Sequence, residues 1–239
     1  MVMSIYKRAL EVIAKKPFKL WGISLLSIFL QSVFVALCGV AIPGLGLAVG
    51  LLLSTSMTMV FLNGLRGEDV KSTDLFECCK DWKTAKRVLC GMAWTDLWVF
   101  LWALIPFVGV IFAIIKAYSY RLVPYILVTE PDVKATEAIK VSEARTKGYR
   151  GKMFIADFLV YIFIFLACIV LGAFSSIRYI GWLFGIILVL LMVAVVLFIS
   201  LFTGLVKAGF YEEIERSRKA PILIETQAEQ FGTQDNNEN

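Results

Sequence analysis

The chain reads as an all-α polytopic membrane protein, with six transmembrane helices in three hairpins and a cytoplasmic amphipathic helix before each hairpin. Three observations predict this. First, 59% of the 239 residues are hydrophobic and mean hydropathy is +0.78. A soluble domain is roughly 45–50% apolar, so lipid must act as solvent for much of the chain. Second, six apolar runs, about 18–38, 42–63, 89–105, 107–128, 153–174 and 180–206, approach or exceed the ~20 residues of a spanning helix. A lone strand would leave backbone groups unpaired in hydrocarbon, so these runs are helical. Third, an isoleucine, a turn residue and a glycine recur in register: Ile42-Pro43-Gly44-Leu45-Gly46, Ile105-Pro106-Phe107-Val108-Gly109 and Ile177-Arg178-Tyr179-Ile180-Gly181. Each lies between two apolar runs, which marks an internal repeat. Each last glycine is followed four residues later by another small residue. Gly46/Gly50, Gly109/Ala113 and Gly181/Gly185 are therefore expected packing positions, bringing the even-numbered spans together near their outer ends.

Residues 1–217 form one membrane domain by this reading, and 218–239 a cytoplasmic tail. Its first element, from Ser4 to Lys16, puts Ile5, Ala9, Val12 and Ile13 on one face and Lys7, Arg8, Glu11 and Lys15 elsewhere, as in an interfacial helix. The first span follows Lys15, Lys16 and Lys19. It exceeds the ~7–15 apolar residues of a leader and has bulky Leu37 before Cys38, so it is read as a retained helix. Ser54, Thr55, Ser56 and Thr58 in the second span are expected to hydrogen-bond to neighbouring helices.

The second amphipathic segment begins with a box-like Asp74 and Glu77, and its apolar stripe is Leu75, Phe76, Cys79 and Trp82. Trp94, Trp98 and Trp102 stripe the third span as lipid-facing or packed rings. Pro124 bends the fourth span. The third amphipathic segment starts near Pro131, turns Val133, Ala138, Ile139, Val141 and Ser142 to its softer side and caps at Gly148. The sixth span continues as a helix through Glu212, Glu213 and Glu215, and from about Gln227 the polar tail is expected to be disordered.

All of the 24 basic residues except Arg178, Lys116 and Arg121 fall on one side of this layout. Both termini are therefore expected in the cytoplasm. The net charge of +5 suits anionic lipid headgroups and calls for no nucleic acid.

The chain has no histidine, no phosphate loop and no nucleophile elbow, which removes the usual catalytic constellations. The five cysteines (Cys38, Cys78, Cys79, Cys90, Cys168) show no disulfide or zinc spacing. No metal and no cofactor is assigned.

The ionisable residues inside spans are the exception. Asp96, Lys116, Arg121 and Asp157 cost roughly 2.5–3.5 kcal/mol each on insertion scales, so they need a reason to be there. With Tyr118 and Tyr125 they form an expected intramembrane polar network, Asp96 pairing with Lys116 or Arg121 and Asp157 with the other. Such a network either fixes helix register or lines a path for a solute.

The stretch from Leu75 to Tyr211 resembles a family of bacterial membrane proteins catalogued as domain of unknown function 975. The resemblance is carried by Ile105-Pro106, Ile115-Lys116-Ala117-Tyr118-Ser119-Tyr120, Pro124-Tyr125-Ile126-Leu127, Glu137-Ala138, Ser142, Lys147-Gly148 and Phe210-Tyr211-Glu212. Phe107 and Cys78-Cys79 depart from the family's usual glycine and Gly-Phe. The resemblance implies a six-span protein of the bacterial cytoplasmic (inner) membrane and brings no activity with it. The expectation is a non-catalytic protein acting through lipid contacts or a membrane-protein partner; the alternative is a transporter or channel for a small solute or lipid, with a polar site around Lys116 and Arg121.

Overall fold

The computed structural model describes residues 1–15, 17–41, 43–106, 108–175 and 181–235. Among these the regular structure is helical. In chain order the helices are α1 (Val2–Lys15), α2 (Pro17–Ala41), α3 (Pro43–Arg66), α4 (Glu77–Lys80), α5 (Trp82–Ala103), α6 (Val108–Ser119), α7 (Val123–Thr129), α8 (Glu137–Thr146), α9 (Arg150–Ser175) and α10 (Gly181–Asp235). A 3-10 turn, Ser72–Phe76, precedes α4.

Four stretches are long and apolar enough to cross a bilayer: Gly44–Arg66, Val108–Thr129, Arg150–Val170 and Gly185–Lys219. A fifth exists if α1 and the first part of α2, which meet at a 95° bend, count as one span. Helix α5 is not among them. It stops at Ala103 and carries Lys83, Lys86, Arg87 and Asp96, leaving an apolar length beyond Arg87 of about 24 Å against a ~30 Å hydrocarbon core. The turn at 177–180 lies outside the described residues.

Packing is concentrated at the end of the molecule that carries most of the lysines and arginines. There α1 buries Ile5 and Ala9 against α10. A Cβ at Gly209 would stand 2.7 Å from Ile5 Cγ2, so the glycine sets how closely α1 docks. A Cβ at Gly204 would overlap the Phe61 ring, and one at Gly91 would stand 2.7 Å from Leu127 Cδ1. Close approach between neighbouring helices thus occurs at these glycines rather than at Gly50 and Gly185. Around Gly50 and Gly185 there is open space. Gly109, with the buried Ala113 one turn on, packs against its own hairpin turn, where an added Cβ would overlap the Trp102 carbonyl oxygen and stand 2.7 Å from Ile105 Cβ, and the side-chain surroundings of Gly181 lie outside the described residues.

Ion pairs fasten the same end. Glu212 of α10 receives Arg8 at 2.5 Å and Arg66 at 3.3 Å, joining α1, α3 and α10. Arg145 of α8 makes a two-pronged pair with Glu130, at 2.5 and 2.9 Å, and reaches Glu215 of α10 at 3.2 Å. The guanidinium holds the Glu130 carboxyl below the usual glutamate range, and the same hydrogen bond raises Arg145.

One amphipathic reading changes and another holds. In the second segment the inward residues are Leu75 and Cys78, whereas Phe76, Cys79 and the 80% exposed Trp82 face out. The cause is the shift from a 3-10 turn to α4 and a fresh start of α5 at Asp81, whose carboxylate caps Lys83 and Thr84. In the third, Ala138, Ile139 and Ser142 do face inward, and Gly148 takes the positive φ of 87° that a terminating glycine permits. The tail is corrected as well: α10 remains helical to Asp235. Gln, Glu and Ala are good helix formers, so polarity there does not break the helix.

Candidate functional site

The site begins with a proline. Pro124 has no N–H to donate to the Tyr120 carbonyl, so the helix begun at Val108 ends at Ser119 and restarts as α7 after a turn at 120–122. Val123 N donates to Tyr120 O at 3.0 Å, the tighter spacing of a 3-10 turn. Two backbone groups beside the break are satisfied from α8. Ser142 Oγ donates to Ser119 O at 2.7 Å and accepts from Leu122 N at 3.2 Å, while Thr146 Oγ1 donates to Ser119 O at 3.1 Å. Both hydroxyl residues are fully buried. Without them, polar backbone would sit unpaired in an apolar interior.

The break directs Arg121 towards α9. Its guanidinium pairs with Asp157 through contacts of 2.9 Å (Nη2–Oδ1) and 2.8 Å (Nη1–Oδ2), with the two side chains only 9% and 15% exposed. Tyr118 donates to Asp157 Oδ2 at 3.0 Å, and its ring lies 5.2 Å beneath Arg121. Paired and hydrogen-bonded in this way, the two charges tolerate burial. Lys116 instead reaches Glu143 of α8 at 2.8 Å and lies over the Tyr120 ring at 5.7 Å.

The expected pairing of Asp96 is therefore corrected. Among the described residues Asp96 has no ion-pair partner. Matching depths along two straight helices placed it beside Lys116 and Arg121, but the break turns Arg121 to α9 and α8 supplies Glu143 to Lys116. Tyr125, 1% exposed, stacks on Tyr211 with centroids 4.7 Å apart and planes 13° apart. Tyr211 shares a 2.9 Å hydrogen bond with Thr129.

Between α2, α3, α5, the break and α10 lies a cleft of about 490 Å³. Its polar lining is Ser24, Ser27 and Gln31 from α2, Ser54, Thr55 and Thr58 from α3, Thr95 and Asp96 from α5, Tyr120, Arg121 and Tyr125 at and just after the break, and Ser200, Thr203 and Lys207 from α10. The α3 hydroxyls were expected to reach other helices. Instead Ser54, Thr55 and Thr58 bond to carbonyls of α3 itself, and it is Ser56 that reaches out, accepting from Cys78 N at 3.4 Å.

Of the six polar residues singled out from sequence, the cleft wall contains Asp96, Arg121 and Tyr125, with Tyr118 and Asp157 bonded behind Arg121. Lys116 belongs elsewhere. It lines a second recess of about 520 Å³ together with Trp94, Trp98 and Trp102, where Trp94 and Trp98 meet edge-on at 6.0 Å. Sequence reasoning missed Lys207, which looked like a flanking cation. Its spacing of four from Thr203, on one face of α10, was the available signal.

Among the described residues no cluster of cysteine and carboxylate side chains has the makings of a metal site. No family model, curated protein or solved structure matches the chain.

Proposed function

We propose that the chain is a non-catalytic protein of the bacterial cytoplasmic membrane that binds a small polar solute or lipid headgroup in its cleft and passes it along. On this reading α5 and α2 also cross the bilayer, giving six spans in three repeated hairpins with both termini cytoplasmic and anionic headgroups against the basic end. Membership of the family catalogued as domain of unknown function 975 belongs to the same proposal.

One observation carries it: an interrupted span contributes non-helical residues, Tyr120 and Arg121, to the wall of a polar cleft. Irregular backbone at membrane depth is tolerated where it is buried in protein or faces a watery cavity, and broken helices with exposed polar groups are how many transporters hold a substrate. A second reading, action through lipid or protein contacts alone, is favoured by the recess of three tryptophans beside Lys116, which suits a lipid chain and headgroup.

Accessibility separates the two. In a cysteine-free background, single cysteines at Thr58 and Thr203 should react with a charged, membrane-impermeant thiol reagent, while one at Phe163, 75% exposed on α9, should not. Silence at Thr58 and Thr203 would mean a dry interior and leave only the second reading.

A further inference from the structure

We propose that the cleft takes a small zwitterion, its ammonium end at Asp96 and its anionic end against Arg121, Tyr125 and Lys207. This rests on the reading of the cleft as a solute site and adds the chemical class of the ligand.

The division of donors and acceptors carries the argument. Thr55, Thr58, Thr95 and Thr203 each donate their hydroxyl hydrogen to a carbonyl of their own helix, at 2.9, 2.6, 2.8 and 2.8 Å. What they offer the cleft is lone pairs. Together with the Asp96 carboxylate they make an acceptor-rich wall, suited to an ammonium group or its water.

Arg121 and Tyr125 at the break, together with Lys207 of α10, present the opposite character. Tyr125 is 1% exposed, lines the cleft, and among the described residues its hydroxyl has no hydrogen-bond partner. Arg121 directs its terminal nitrogens to Asp157, yet among the described residues its buried Nε has no hydrogen-bond partner. Lys207 lines the same cleft and, among the described residues, has no ion-pair partner. Lys207 is exposed, whereas Tyr125 and Arg121 are buried, and a buried donor without a partner costs free energy until something accepts from it.

The charges agree. Arg121 and Asp157 neutralise each other, so the cleft's remaining ionised groups are one carboxylate, Asp96, and one ammonium, Lys207. They line one cavity without forming an ion pair with each other. A simple anion would leave Asp96 uncompensated, and a simple cation would leave Lys207 so. A ligand carrying both charges satisfies both walls at once, and the volume of about 490 Å³ falls within the range of small-molecule pockets. The shared chemistry, an ammonium joined by a short linker to an anionic oxygen, occurs in free amino acids and in zwitterionic lipid headgroups.

The test uses full-length protein in nanodiscs of phosphatidylglycerol, titrated by calorimetry with phosphoethanolamine and β-alanine. Phosphate, propionate and ethanolamine at equal ionic strength serve as single-charge controls. At least one zwitterion should bind about tenfold or more tightly than every control. Asp96→Asn and Lys207→Gln should each remove about tenfold or more of that affinity while leaving the unliganded melting temperature unchanged, since among the described residues neither side chain has a hydrogen-bond or ion-pair partner to lose.

If phosphate or propionate binds as well as the zwitterions, or if neither zwitterion binds, or if Asp96→Asn has no effect, the proposal is overturned. Adding phosphatidylethanolamine to the disc identifies the source: competition with soluble phosphoethanolamine marks a lipid headgroup, and unchanged binding marks a free solute. Thiol labelling at Thr58 and Thr203 keeps the two readings apart. A wet cleft without zwitterion preference defeats this inference alone, whereas an unlabelled cleft defeats the functional reading beneath it.

Discussion

The two ends of the molecule are built on different principles. At the basic end α1, α8 and the ends of α3 and α10 interlock, with Ile5, Leu65, Leu127, Ala138, Leu205 and Ile214 buried and Glu212 and Arg145 each serving several partners. Towards the opposite end the helices carry exposed apolar side chains such as Leu47, Ile111, Phe163 and Leu190, and their glycines at 50 and 185 face open space. The first half is a protein core held by close packing and ion pairs. The second is a set of helices whose solvent is lipid, which needs little shape complementarity from its neighbours. The polar cleft contains residues of both kinds of surroundings, where packing gives out but backbone polarity still has to be met.

The largest effect should come from the buried pair at that boundary. Arg121→Met alone should destabilise by about 3–5 kcal/mol, because it leaves the Asp157 carboxylate buried and uncompensated, whereas adding Asp157→Asn should restore much of the loss. Thermal unfolding of the two single variants and the double in detergent measures this. Additive losses would mean that the pair does not hold the cleft wall.

Next comes the packing contrast. Gly204→Ala should cost about 1–3 kcal/mol, since a Cβ would overlap the buried Phe61 ring, which has little room to retreat. The same change at Gly50 or Gly185 should stay within about 0.5 kcal/mol or slightly stabilise, because nothing lies in the way. Equal effects at the three sites would erase the distinction between the ends.

The smallest effect tests the ionic fastening of the basic end. Glu130→Gln should cost about 1 kcal/mol near neutral pH by weakening the Arg145 pair. Since folding depresses the Glu130 carboxyl, its contribution is complete above the ordinary glutamate range, about 4.3. It disappears as pH falls through the depressed folded-state value. Melting curves of the two proteins should therefore converge in acid; a gap that persists there would assign the loss to packing instead.

Much of the helical layout was legible because lipid imposes a simple demand. A chain that cannot hydrogen-bond to its solvent must be apolar and helical for the length of the crossing, and 43–66, 150–175 and 181–206 display that openly. Ionisable residues in such runs, Arg121 and Asp157 above all, also announced themselves. What stayed hidden depends on residues far apart in sequence. Pro124 suggested a bend, but nothing near it revealed that Ser142 and Thr146 would complete a full interruption. Asp96 was misplaced because depth was counted along unbroken helices. Lys207 was passed over because a lysine at the end of an apolar run is most simply a headgroup anchor.

The hydroxyl of Ser142 has a mechanical consequence. It stands in for a missing turn of backbone, holding the Ser119 carbonyl and the Leu122 amide at once. The proline beyond prevents the two halves from healing into one straight rod, so separating α8 from the break strands both groups with nothing to replace it. The position of α8 and the shape of the cleft wall at Arg121, two residues on from Ser119, are thereby fixed by the same hydroxyl.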